Sequence, residues 1–94
     1  MIKLVARRRI RPECAEAFRS LAAELVEKSR AEAGNLSYTL NRSLDDPMLF
    51  CFLESWKDQA AIDFHNASEH FTRIVPQFAG LTEQQLPLER YAEE

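Results

Sequence analysis

The chain has 94 residues, 46% of them apolar and 29% charged, with a net charge of −3. That is enough for one domain spanning residues 1–94, too apolar and too weakly charged for disorder, and the wrong sign for a nucleic-acid partner. No apolar run approaches the ~18 residues a membrane helix needs, and "MIKLVARRRI" lacks a signal-peptide core, so a cytoplasmic protein with no membrane partner is expected. Cys14 and Cys51 are then expected as free thiols, and their spacing matches no zinc pattern.

Residues 2–10, "IKLVARRRI", are aliphatic and β-branched with Ile2, Leu4 and Ala6 in partial alternation, which predicts a first strand. The arginines of "RRRIR" (7–11) alternate between the faces of such a strand and so form no single basic patch. Pro12 ends the strand and suits a helix start. From Glu13 to about Glu32 the period becomes helical, with Phe18, Leu21, Ala22, Leu25 and Val26 on one stripe. Gly34 fits a left-handed residue closing that helix.

"NLSYTLNRS" places Leu36, Tyr38, Leu40 and Arg42 on one face of a second strand, and "LDDP" supplies a turn. "MLFCFLESW" is a nearly continuous apolar run and predicts a central third strand, hairpin-paired with the second. Its faces are Phe50, Phe52, Glu54, Trp56 and Leu49, Cys51, Leu53, Ser55. Arg42 and Glu54 are candidates for a cross-strand pair, with Glu54 read as a structural residue at a dimer contact.

Ser55 and Asp58 have capping-box spacing before a short helix from about Lys57 to Asn66. Ser68 starts another, to about Phe78, with Phe71, Ile74, Val75 and Phe78 inward. Pro76 predicts a kink or an early end. "AGLTE" reads as a loop, and "QQLPLERYA" as a fourth strand that Pro87 marks as an edge or a bulge.

The order β-α-β-β-α-β predicts an α+β ferredoxin-like plait, with four antiparallel strands and the helices on one face. The other face would be bare, and the second and third strands are read as apolar on both faces. A homodimer through that open sheet face is the physical expectation.

Several segments resemble the antibiotic biosynthesis monooxygenase family: "RP" followed by Phe18 at the first helix, "GNLSYTL", "FCFLESW" and "HNASEHF". The resemblance covers nearly the whole chain and implies a dimeric α/β barrel. Members include cofactor-independent monooxygenases of quinols and aromatic polyketides, haem-degrading oxygenases and an isomerase of a sugar phosphate. Haem degraders carry an Asn on the first strand, and this chain has none there. Polyketide oxygenases carry an Asn four residues before the Trp, where Phe52 stands here. The resemblance is strongest to the small quinol-monooxygenase-like group, which keeps the His.

It therefore implies a cofactor-free monooxygenase acting on a small quinol or phenolic aromatic with O2. His65 would be the base or a substrate anchor, with Trp56, Phe52, Tyr38, Phe71 and His70 around the substrate. An imidazole titrates near neutrality and suits that role, and aromatic side chains suit the walls. His65 and Phe64 are read as sharing the inward face of their helix. His65 and His70 are not expected to bind metal, since no carboxylate or thiol completes a set in sequence. Two rival readings are an isomerase or lyase on a phosphorylated metabolite, with 7–11 as an anion site, and a non-catalytic dimeric ligand-binding or stress-response module.

Overall fold

A computed structural model describes residues 1–94. Strands β1 (Ile2–Ile10), β2 (Asn35–Arg42), β3 (Leu49–Trp56), β4 (Thr82–Gln85) and β5 (Glu89–Ala92) form one antiparallel sheet. Helices α1 (Ala15–Arg30), α2 (Gln59–Asn66) and α3 (Glu69–Phe78) connect them. The order across the sheet is β2-β3-β1-β4, with β5 also on β1. This is the predicted ferredoxin-like plait, with its fourth strand in two pieces. Pro87 has no N–H to give a ladder, and it falls between β4 and β5, both of which pair with β1. Between them, the Leu86 N–H donates to the Arg7 carbonyl at 3.1 Å.

Leu4, Phe50, Phe52, Trp56 and Tyr38 alternate onto the face under the helices and form the core with Phe18, Ala22, Leu25, Ile62, Ile74 and Phe78. Phe18 is its hub, with ring centroids 5.0 Å from Phe50 and 4.9 Å from Phe78. The α1 stripe is as predicted: Phe18, Ala22 and Leu25 are buried, and Leu21 and Val26 pack against them. The arginine run also divides as alternation requires. Arg7 pairs with Glu89 and Arg9 with Asp46, whereas Arg8 turns inward over the Phe78 ring.

Five local expectations change. Leu36 is exposed rather than inward, because a register shift between Asn35 and Ser37 rotates it out. Asp58 itself caps α2, its Oδ1 accepting from the Ala61 N–H at 2.9 Å, and Ser55 stays in β3. Ser68 caps α3 as predicted, accepting from the Phe71 N–H. Pro76 does not end α3, which runs on through Phe78 and then into a 3₁₀ turn at Ala79–Leu81, where the residues predict a loop. Gly34 has no positive φ; its role is close approach, since a Cβ there would stand 2.4 Å from the Ala61 Cβ.

Opposite the helices the sheet face is bare. It presents Val5, Leu49, Cys51, Leu53 and Tyr91 among polar neighbours, with Leu53 44% and Tyr91 53% exposed. Both cysteines are free. No helix is long and apolar enough to cross a membrane.

Candidate functional site

The alternation of β3 aims Phe52 and Glu54 at the layer between sheet and helices, and the register sets Tyr38 opposite Glu54 on β2 and Leu4 opposite it on β1. Above them, α2 turns Ile62 and His65 inward while Phe64 points to solvent, so Phe64 does not share the His65 face. The start of α3 brings Phe71 across. Together these side chains wall a cavity of about 390 Å³, with Val75, Phe78 and Leu25 deepening it and Arg8, Gln85, Leu86, Leu88 and Arg90 along its sheet-edge side. That volume is of the size that holds a small ligand.

Of the residues picked from sequence, His65, Tyr38, Phe52 and Phe71 line this cavity, whereas Trp56 and His70 do not. Trp56 is fully buried behind the wall. Its ring lies 4.5 Å from His65 and edge-on to Tyr38 at 6.2 Å, and its Nε1–H donates to Glu54 Oε1 at 2.9 Å. His70 is drawn away from the cavity by Glu32.

Glu32 is the site residue that sequence reasoning misses. Just past α1, its side chain is only 5% exposed, and its Oε2 takes two contacts of 2.7 Å, from His65 Nδ1 and His70 Nε2. A carboxylate oxygen accepts, so both imidazoles donate. His65 is thereby committed to its Nδ1–H tautomer, and Nε2 is the nitrogen available to a molecule in the cavity. Burial pushes the His65 pKa down, and the Glu32 hydrogen bond and charge only partly restore it, so the site favours the neutral ring.

The three residues also overturn the expectation that no carboxylate completes a ligand set, since their donor atoms lie within 4.8 Å of one another. The spacing is nonetheless that of hydrogen bonds. Two donors on a tetrahedral zinc with bonds of 2.0–2.1 Å stand about 3.3 Å apart, wider than the 2.7 Å contacts at Glu32. Glu32 Oε1 is buried without a partner.

Glu54 departs from its expected place. It lies on the helix-side face, 8% exposed, lining the cavity rather than a dimer contact. It cannot pair with Arg42, which stands opposite Phe50. Burial pushes its pKa up to about 7; the Trp56 hydrogen bond works against this, and the Glu32 charge adds to it. Burial, with the Glu54 charge adding, likewise pushes the Tyr38 phenol far up, so it stays protonated. Ser29 beside it tempers that shift, but the Ser29 hydroxyl itself is buried with no hydrogen-bond partner of good geometry. Arg8 is the inward cation: Nη1 donates to Thr82 Oγ1 at 3.2 Å, and burial lowers its pKa.

The sequence matches the family described as antibiotic biosynthesis monooxygenase over residues 1–77. It is 45% identical over 75 residues to YcnE of Bacillus subtilis (strain 168), named as a candidate monooxygenase, covering 80% of this chain and 79% of that protein. It is 34% identical to Rv0793 of Mycobacterium tuberculosis, a candidate monooxygenase likewise, over 85% of this chain and 78% of that protein. A crystal structure of an antibiotic biosynthesis monooxygenase superposes with a TM-score of 0.94 at 39% identity, covering 100% of this chain and 99% of that one. With the "ESW" strand and the "HNASEHF" helices both falling inside the matched region, and the fold agreeing, the chain belongs to the antibiotic biosynthesis monooxygenase family.

Proposed function

We propose that the protein is a cofactor-independent monooxygenase that oxidises a small quinol or phenolic aromatic with O2. The observation that carries this reading is one side chain in one setting: His65, 2% exposed, its Nδ1 held by Glu32, on the wall of an aromatic cavity. Cofactor-free oxygenation needs a base at the substrate hydroxyl and an apolar enclosure that keeps water from the reactive intermediates.

Electrons and atoms balance without a further reductant. His65 Nε2 takes the proton of one quinol hydroxyl, and the anion gives an electron to O2. The resulting radical pair forms a bond between a ring carbon and oxygen, and the peroxide takes back the proton from His65. Loss of water from that hydroperoxide gives a hydroxyquinone. In sum, quinol and O2 yield hydroxyquinone and water. The inward guanidinium of Arg8 supplies a positive field for the organic anion and for reduced oxygen.

The test is oxygen uptake by metal-stripped protein with a reduced naphthoquinol, autoxidation subtracted. Wild type should exceed background, and His65→Ala should lose about 10²–10⁴-fold of the rate, the usual contribution of a general base. Uptake no faster than background with every quinol tried would end this reading. The rival isomerase reading draws on the cavity arginines, but only Arg8 of the 7–11 run lines the cavity unpaired, because Arg7 and Arg9 are held by Glu89 and Asp46.

The assembly we propose is a homodimer through the bare sheet face. Leu53, Tyr91, Val5 and Leu49 form its apolar part, and a domain of this length gains from adding buried area. Sedimentation equilibrium should give twice the chain mass, and Leu53→Glu should shift it toward the single chain. A wild-type protein sedimenting at the chain mass at micromolar concentration would reject the dimer.

A further inference from the structure

The cavity holds a second buried titratable side chain besides His65, the carboxyl of Glu54. Glu54 is a carboxyl among Leu4, Tyr38, Phe52 and Phe78, with no cation bonded to it. Burying a carboxylate in an aromatic pocket without an ion pair is costly, and groups so placed cluster at reacting centres. Only Oε1 is occupied, by the Trp56 indole N–H. That bond fixes the carboxyl plane and leaves Oε2 for a ligand. Trp56 also packs on His65, so the two acid–base groups flank a single indole. Both groups line the same cavity of about 390 Å³, so one bound substrate is exposed to both.

We propose that Glu54 is a second catalytic residue, the base for the step after oxygen addition, with Trp56 its positioning residue. The proposal rests on the monooxygenase reading above. The hydroperoxide still carries a hydrogen on the oxygenated ring carbon. Glu54 removes that proton, and the C–H electron pair becomes the second bond of the new carbonyl. The O–O bond breaks, and the departing hydroxide takes the proton from Glu54 to leave as water. Glu54 returns to its carboxylate form, and the ring bears one oxygen atom of O2. The substrate class narrows accordingly to dihydroxyarenes with a C–H beside a hydroxylated carbon.

Without that base the hydroperoxide has another exit: it expels its peroxide, giving unsubstituted quinone and H2O2, with atoms and electrons again balanced. The experiment is therefore product analysis rather than rate alone. Reduced naphthoquinol and O2 are supplied to wild type, Glu54→Gln, Trp56→Phe and His65→Ala, with hydroxynaphthoquinone and H2O2 quantified above the autoxidation background. Wild type should yield hydroxynaphthoquinone with little H2O2. Glu54→Gln should keep most of its oxygen uptake but shift at least tenfold in the ratio of H2O2 to hydroxyquinone. Trp56→Phe should fall between, and His65→Ala should lose uptake itself. A Glu54→Gln protein that makes hydroxyquinone in wild-type proportion overturns the assignment while leaving the monooxygenase standing. Loss of uptake in Glu54→Gln equal to that in His65→Ala also overturns it, since Glu54 would then act before oxygen adds. No uptake by wild type removes the monooxygenase reading and the assignment together.

Discussion

Replacing Glu54 with Gln should make the protein more stable, by about 3 kcal/mol above pH 7. The folded carboxyl titrates near 7 rather than at its ordinary 4.5, chiefly because burial penalises its charge. Each unit of that displacement is worth about 1.4 kcal/mol. The folded protein holds the proton more tightly than the unfolded chain, so the ionised carboxylate opposes folding. The penalty is complete above pH 7, shrinks as the pH falls through that value, and is gone below about 4.5. Gln keeps an oxygen for the Trp56 N–H and never ionises. Urea unfolding of both proteins at fixed concentration, from pH 5 to 9, reads this directly. The stability difference should open from pH 5 to about 7 and level off above it. A difference that stays flat with pH would mean Glu54 does not titrate near neutrality in the fold. His65 acts in the opposite sense: its lowered pKa favours folding above its ordinary value near 6.5 and is lost on acidification. It is common to both proteins and largely cancels in the comparison. A site that costs its own fold this much fits the usual tension between stability and function.

Gly34→Ala should destabilise by about 1–3 kcal/mol, the range for overpacking, although backbone conformation alone would predict the reverse. Gly34 does not occupy the left-handed region, and Gly→Ala at an ordinary φ usually gains about 0.4–1 kcal/mol through the unfolded chain. The new methyl would stand 2.4 Å from the Ala61 Cβ and 3.3 Å from its Cα, so the helix itself must move. The segment that moves is the first half of α2, one turn before His65. The Gly34 carbonyl also accepts from the Lys57 N–H at 2.9 Å, tying this loop to the end of β3. Chemical denaturation of Gly34→Ala, Ala61→Gly and the double variant forms a cycle. The double variant should recover the clash, keeping only the cost of a helical glycine, about 1 kcal/mol. Additivity of the two single effects would show that the residues do not touch.

How far the residues alone reveal the structure depends on the range of the forces involved. Periodicity finds β1, the α1 stripe and β3, because burial of one face repeats every two residues or every three to four. Ser68 is legible because a cap bonds only three residues away. Glu32 is not, because its partners lie 33 and 38 positions further along the chain. In sequence it looks like the last solvated residue of a helix. The bulge that turns Leu36 outward leaves no mark in a simple alternation. The split of the fourth strand is half legible: Pro87 announces an interruption, but not that both halves pair with β1. Glu54 is legible in position but not in role, since a strand pairing with Arg42 is as natural in sequence as a place in a cavity. It alternates with Phe50, Phe52 and Trp56, and a carboxyl in that company breaks the rule of apolar faces, a departure that sequence alone does not interpret.

The interrupted edge of the sheet bears on how such a protein changes its diet. The match to the family ends at residue 77, yet Phe78, Gln85, Leu86, Leu88 and Arg90 supply one side of the cavity. His65, Glu54 and Trp56 lie in the matched region, while this side comes from a short segment broken at Pro87 and joined to the remainder chiefly through β1. Under the proposed reaction, the groups assigned to chemistry and this side of the cavity fall on separate stretches of chain. Insertions, deletions or exchanges along the last strand can reshape this side of the cavity without touching His65 or Glu54. Under that proposal, one reaction can be carried from substrate to substrate by editing this last strand.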